Sequence, residues 1–191
     1  MLASCVSKPT IKPEQQAWQD RQERYSHLNN WHLKGRLGLR SKQESGAVTL
    51  IWNETPDHRQ LRLLGPVGHG LVKLEETADG AVLQDSRNTR WQGATSQALI
   101  EQATGWNIPV QSLRWWVLGI VEPGRETDYQ LDDQSRLASL KQDGWQVSFS
   151  QYRYFGGYEL PGSIVFQNST EHPEHSLRGK FLLKKWEPVV K

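Results

Sequence analysis

A chain of 191 residues with 23 basic and 21 acidic side chains has room for one sizeable core and carries a net charge of only +2. Charge so evenly mixed argues against a nucleic-acid binder, which would gather positive residues on one face, and no apolar run approaches the roughly 20 residues of a membrane span. Nine tryptophans against one methionine favour large rigid apolar surfaces, some of which could line a cavity.

The only cysteine, Cys5, follows Leu2-Ala3-Ser4. This run resembles a lipobox, in which small residues let a signal peptidase cut before a cysteine whose thiol then carries a diacylglycerol. A lone cysteine has no internal disulfide partner, so lipidation of Cys5 is expected, the alternative being an incidental free thiol. The charged stretch and apolar run of a full secretory signal are absent. Residues 1–4 then read as a signal remnant and 5–13, with Pro9 and Pro13, as an extended tether of roughly 25 Å reach. Residues 14–191 read as a single domain, with Pro13 suited to the first position of a helix and Glu14 to its positive end. Ala17, Trp18, Arg21, Tyr25 and Leu28 share a helical stripe that ends near Asn29-Asn30. Trp18 and Tyr25 are expected to pin this helix to a sheet.

At Trp31 the period changes to two. Trp31, Leu33, Gly35, Leu37 and Leu39 alternate with His32, Lys34, Arg36, Gly38 and Arg40, as a strand with one dry face requires. Val48, Leu50 and Trp52 repeat the pattern. Shorter strands follow at 59–64, 71–75 and 81–84, punctuated by Pro56-Asp57, Gly65-Pro66 and Asp79-Gly80, so the first half reads as an antiparallel meander.

Two helices interrupt the strands. One runs from Thr95, a suitable N-cap, through Ala98, Leu99 and Ala103 to Gly105. The second opens at Pro109, places Val110, Leu113, Trp116 and Val117 on one face, and ends at Gly119. Strands return at 129–131 and 137–140, then at Trp145, Val147 and Phe149 after the turn Asp143-Gly144, and finally at 164–166 and 177–183. A sheet of this kind curls and presents one concave apolar side. The helices either lie over it as a lid above a cavity or fill it as ordinary core, and the pattern alone leaves both open.

The segment Asn107-Ile108-Pro109-Val110-Gln111-Ser112-Leu113-Arg114-Trp115-Trp116-Val117-Leu118-Gly119, with Thr127-Asp128-Tyr129, Leu131-Asp132-Asp133 and Arg136-Leu137 after it, resembles the signature of the LolB family. Gly65-Pro66-Val67-Gly68 aligns with that family's protruding loop and Trp145-Gln146-Val147 with its late tryptophan strand, so the likeness runs from Trp31 onward. It implies a mainly β fold with α: an incomplete, half-open antiparallel β-barrel covered by a lid of about three helices. It also implies an outer-membrane lipoprotein receptor on the periplasmic face that accepts lipoproteins from the periplasmic carrier LolA and inserts them into the membrane, with no cofactor, metal or catalysis. The partners implied are cargo acyl chains, LolA and outer-membrane lipid, with the receptor itself a monomer. Two departures stand out: the family commonly has Leu at the loop tip where Val67 stands here, and Asn168 to Ser176 is long and polar.

Strand parity together with this resemblance nominates Leu37, Leu39, Val48, Leu50, Trp52, Leu63, Trp116, Trp145, Val147 and Phe149 as cavity wall, each equally able to be plain core. Trp115 lies on a different helical face from Trp116, so at most one of them meets the cavity squarely. Val67, between Pro66 and Gly68, reads as a small membrane-contact wedge worth about 1.5 kcal/mol at best. An enzyme is the weaker reading: Glu75-Glu76 and Asp132-Asp133 would point to opposite faces and look like solvated turn or edge charges, and His172 and His175 lack a third ligand. A soluble lipid carrier of the same fold is the closer competitor, and it needs neither a lipidated Cys5 nor a tether.

Overall fold

In the computed structural model, which describes residues 12–42, 45–65, 70–104, 107–168 and 176–189, Pro13 opens helix α1 (Pro13–Ser26), with Glu14 in its first turn. The helix thus starts on the last residue assigned to the tether and stops short of Asn29. Cys5, Pro66, Val67, Gly68, Gly105, His172 and His175 lie outside the described residues.

The period-two run becomes β1 (Trp31–Ser41), buried at Trp31, Leu33, Gly35, Leu37 and Leu39 in alternation. It is followed by β2 (Ser45–Glu54), β3 (Arg59–Leu64), β4 (Gly70–Thr77), β5 (Gly80–Asp85) and β6 (Arg90–Gly93). Helices α2 (Ser96–Thr104) and α3 (Val110–Trp116) come next. The hydroxyl of Thr95 accepts the N–H of Ala98 at 3.3 Å, the expected cap, and Gly119 takes φ +68° after α3. The chain then forms β7 (Asp128–Leu131), β8 (Leu137–Gln142), β9 (Trp145–Ser150), the hairpin β10 (Arg153–Phe155) and β11 (Tyr158–Leu160), β12 (Ser163–Asn168) and β13 (Leu177–Pro188).

Among the described residues, eleven strands make one antiparallel sheet in the order β6-β5-β4-β3-β2-β1-β13-β12-β9-β8-β7. The two meanders are halves of this sheet, joined where β1 pairs with β13 from Trp31↔Pro188 to Ser41↔Leu177. Ends β6 and β7 are not hydrogen-bonded to each other, so the sheet is an open, incomplete barrel. The last two strands pair from Ser163↔Leu182 to Gln167↔Arg178 despite the long polar stretch between them. Two glycines serve the curvature: a Cβ at Gly35 would run into the ring of Phe181, and one at Gly179 into the ring of Phe166. Each ring therefore fills the space beside a glycine of the neighbouring strand.

β6 and the β10–β11 hairpin were not predicted. β6 has a single large apolar residue, Trp91, and no alternation to detect. The hairpin carries a usable signal, Gly156-Gly157, which turns with φ +54° and +85° as a two-residue loop demands.

The aromatic residues of α1 do pin it. Trp18 stacks on Tyr129 at 5.3 Å, and the Tyr25 hydroxyl accepts the N–H of Glu159 at 3.1 Å. Ala17, on the expected stripe, is exposed. Arg21 lies over the rings of Tyr25 and Tyr152 and pairs with Glu159, which also takes Arg136 at 2.8 Å. Arg136 returns to Asp132 at 2.7 Å. Asp132 is therefore no freely solvated turn charge: burial pushes its pKa up, but hydrogen bonds from Arg136 and from the Gln134 N–H outweigh it and hold the carboxyl below its ordinary value.

Candidate functional site

Strand parity sends Leu37 of β1, Leu50 of β2, Leu61 and Leu63 of β3, and Val72 and Leu74 of β4 to the concave side. There they meet Ile100 of α2, Ile108, and Val110 and Leu113 of α3. The space these residues enclose is about 20 Å³, room for about one water. Their lining is wholly apolar, so a water inside would find none of the polar partners it needs. The void is a dry seam between helices and sheet.

Three of the nominated wall residues, Leu37, Leu50 and Leu63, line this seam. Leu39, Val147 and Phe149 are buried in the core at other points, with Val48 packed against it. Trp52 packs against Trp31 with ring centroids 5.3 Å apart and the planes tilted by 52°. Trp116 and Trp145 join Phe166 in a cluster with centroids 5.7 to 6.3 Å apart, which fixes α3 to the other half of the sheet. Trp116 is fully buried while Trp115 is only partly so. The wall residues missed by sequence reasoning were Leu61, Val72, Leu74, Ile100 and Ile108, together with Val110 and Leu113, which were placed on one helix face but not assigned to the wall. Leu61 shares the parity of Leu63, which was signal enough.

One end of the seam is closed by charge. Glu54, only 5% exposed, accepts hydrogen bonds from Arg59 Nε at 2.9 Å and Nη2 at 3.0 Å. It also accepts from Arg114 Nε of α3 at 2.7 Å and Trp52 Nε1 at 2.8 Å. The second amine of Arg59 donates to Gln111 Oε1 at 3.0 Å, and Gln111 Nε2 donates to Glu76 at 2.9 Å. Glu76 finally accepts the backbone N–H of Ser96 at 2.9 Å, where a carboxylate complements the positive end of α2. Both lid helices are thus fastened to β2, β3 and β4 through one network.

The expected solvated pair Glu75-Glu76 is split by strand parity. Glu75 faces out, 2.8 Å from Lys73. Glu76 faces in, where burial raises its pKa, but Ser96, the nearby Arg59 guanidinium and Gln111 together hold it below the ordinary 4.5. A carboxyl with a depressed folded pKa contributes stability above its unfolded pKa and loses it as pH falls through the folded one. We expect urea unfolding to show wild type more stable than Glu76→Gln above about pH 4.5. The difference should shrink below that pH, and a constant gap would contradict this account.

The fastened end and the connection carrying Val67 are at opposite ends of β3 and β4. Arg59 pairs with Glu76 at one end and Leu64 with Gly70 at the other. The network thus fastens the helices at the end of these strands away from that connection.

Sequence comparisons with known proteins converge on one family. The profile of the family described as "Outer membrane lipoprotein LolB" matches residues 29–186. An "Outer-membrane lipoprotein LolB" of Pseudomonas putida (strain W619) is 36% identical over 98% of this chain and 91% of its own length. One of the same description from Stutzerimonas stutzeri (strain A1501) is 36% identical over 90% and 81%. Among solved structures, a LolA superfamily protein from Nitrosomonas europaea superposes with TM-score 0.61 at 5% identity, over 91% of this chain and 94% of that one. A putative outer membrane lipoprotein-sorting protein domain from Vibrio parahaemolyticus gives 0.55 at 10% identity, over 91% of each chain. At such identities these last two speak for the fold alone.

Proposed function

Because the chain belongs to the LolB family of outer-membrane lipoproteins, we propose that it is the outer-membrane-anchored acceptor that takes lipoproteins from the periplasmic carrier LolA and inserts them into that membrane. The observation that carries this reading is the wholly apolar seam between sheet and lid, fastened by charge at one end. Acyl chains gain roughly 0.8 kcal/mol per buried methylene, so they move only from one apolar site to the next. A seam of leucine, isoleucine and valine offers desolvation without directional demands and suits chains of varied length. The lid parts at its free margin, the chains replace contacts between α3 and the strands, and no cofactor or energy source is needed. Direction follows from a difference in affinity between carrier and acceptor, about 1.4 kcal/mol for each factor of ten.

Two features outside the described residues complete the scheme. Cys5, lipidated, holds the body at the bilayer through the tether. Val67, at the tip between Pro66 and Gly68, contacts lipid on the side of the free lid margin.

The test is transfer of a radiolabelled lipoprotein from purified LolA to the receptor and then to vesicles. Wild type should complete both steps. Cys5→Ala should still accept cargo, and Val67→Glu should accept cargo but deliver it poorly to vesicles. Failure of wild type to accept cargo would overturn the acceptor reading, and equal loss of both steps in Val67→Glu would remove the wedge from it.

A further inference from the structure

The balanced composition conceals an uneven surface. On β1 the residues facing away from the core are His32, Lys34, Arg36, Gly38 and Arg40. The register sets Arg40 opposite Arg178 and Gly38 opposite Lys180 on β13. On the other side, Arg36 lies opposite Thr49, and Arg62 of β3 is opposite Ile51. Arg36, Arg40, Arg62, Arg178 and Lys180 are all exposed. None forms an ion pair with another described residue, whereas Glu187, the acid on this face of β13, is tied to Lys185 at 2.9 Å.

Two ordinary explanations fail. Basic residues protect the edges of sheets, yet β1 and β13 are interior strands of the eleven. Like charges directly across an antiparallel ladder lower stability, so Arg40 facing Arg178 is not there for the fold. The cluster makes sense if an anion arrives from outside.

We propose that this convex face is a docking surface for the head groups of anionic phospholipids. The outward neighbours are small or aliphatic, Ala47, Thr49, Ile51 and Leu182 among them, and offer no aromatic anchor of the kind that centres protein interfaces. Separated cations on a broad sheet match the diffuse negative potential of a lipid surface instead. The placement also fits: Leu64, where the chain leaves β3 toward Val67, lies across Thr49 from Arg36. The face thus adjoins the strand end from which that connection leaves. This inference uses membership of an outer-membrane lipoprotein family and not the cargo-acceptor reading, so either can fail alone.

The experiment is vesicle co-sedimentation of the full chain carrying Cys5→Ala, so that no lipid anchor masks the face. Binding to vesicles containing phosphatidylglycerol should exceed binding to purely zwitterionic ones and weaken with salt. Arg36→Gln, Arg40→Gln and Arg178→Gln combined should lower partitioning about 100-fold, and each single change about fivefold. Removing three charges elsewhere, by Arg24→Gln, Arg87→Gln and Arg90→Gln, should have little effect. Equal binding to both vesicle types, an unchanged triple variant, or equal losses in the two triple variants overturns the proposal. So does a triple variant that keeps vesicle binding but loses capture of purified LolA, which would assign the face to an acidic protein. The single variants guard against a triple variant that misfolds.

Discussion

Replacing Glu54 by Gln is expected to lower the unfolding free energy by about 3–5 kcal/mol, the cost of breaking a buried ion pair while leaving its partners in place. Among the described residues Glu54 is the one carboxylate shared by Arg59 and Arg114, and it also takes the indole N–H of Trp52. Arg59 is itself only 9% exposed, so water does little to replace the lost charge. Glutamine keeps the shape but offers a single acceptor oxygen and turns an N–H₂ toward two guanidinium groups, of which Arg59 keeps only its bond to Gln111 and the more distant Glu76. The check is urea unfolding, with a lower midpoint at unchanged slope. Exposed Glu187, paired with Lys185 at 2.9 Å, is the internal contrast, since Glu187→Gln should cost under about 1 kcal/mol. If both substitutions cost the same, Glu54 is not the hub described. Replacing Glu54, Arg59 and Arg114 together by apolar residues of similar volume should restore much of the loss, because unpaired buried charge and not missing attraction dominates it.

Alternation made the strands legible and left their partners illegible. From Trp31 to Leu39 every inward residue follows from period two, and Leu50, Trp52, Trp145, Val147 and Phe149 are all buried as that period requires. Period two does not say that β1 pairs with β13, the contact that fuses two meanders into one sheet, and neither does it say which half of a concave face lies beneath which helix. That is why Leu37, Leu50 and Leu63 reach the seam while Trp116 and Trp145 build a separate aromatic cluster. The fastening network was hidden for a related reason. Glu54 and Glu76 have the parity of Trp52 and Leu74 and so point inward, but charged residues near strand ends look like solvated turns until register brings Arg59, Gln111 and Arg114 against them. Of the basic convex face, the sequence shows the run Lys180, Lys184 and Lys185, which reads equally as edge protection; net charge averages over the surface and hides the arginines of β1 that join it. They were written in the same alternation, on the wet side of β1.

Leu113→Ala should move stability and ligand uptake in opposite directions. Leu113 is 1% exposed on α3 and faces Leu37, Leu50 and Leu61 across the seam. Its truncation is expected to cost about 2–5 kcal/mol, the transfer of the lost carbons plus the cavity they leave. That cavity joins a space which in wild type admits about one water, and the new volume stays apolar. On the proposed acceptor reading, a fatty-acyl probe binds wild type only in the fraction of molecules whose lid has parted, so its apparent affinity is reduced by that fraction. Weakening the seam raises the fraction, and each 1.4 kcal/mol taken from lid closure should tighten apparent probe binding about tenfold. General loosening is separated by Leu137→Ala, which empties an equally buried position on β8 away from the seam. It should destabilise to a similar degree without tightening the probe. Urea unfolding beside a fluorescence titration of the acyl probe reads both quantities. If Leu113→Ala loses stability and gains no affinity, or if Leu137→Ala gains as much, the seam is ordinary core and the cargo site lies elsewhere.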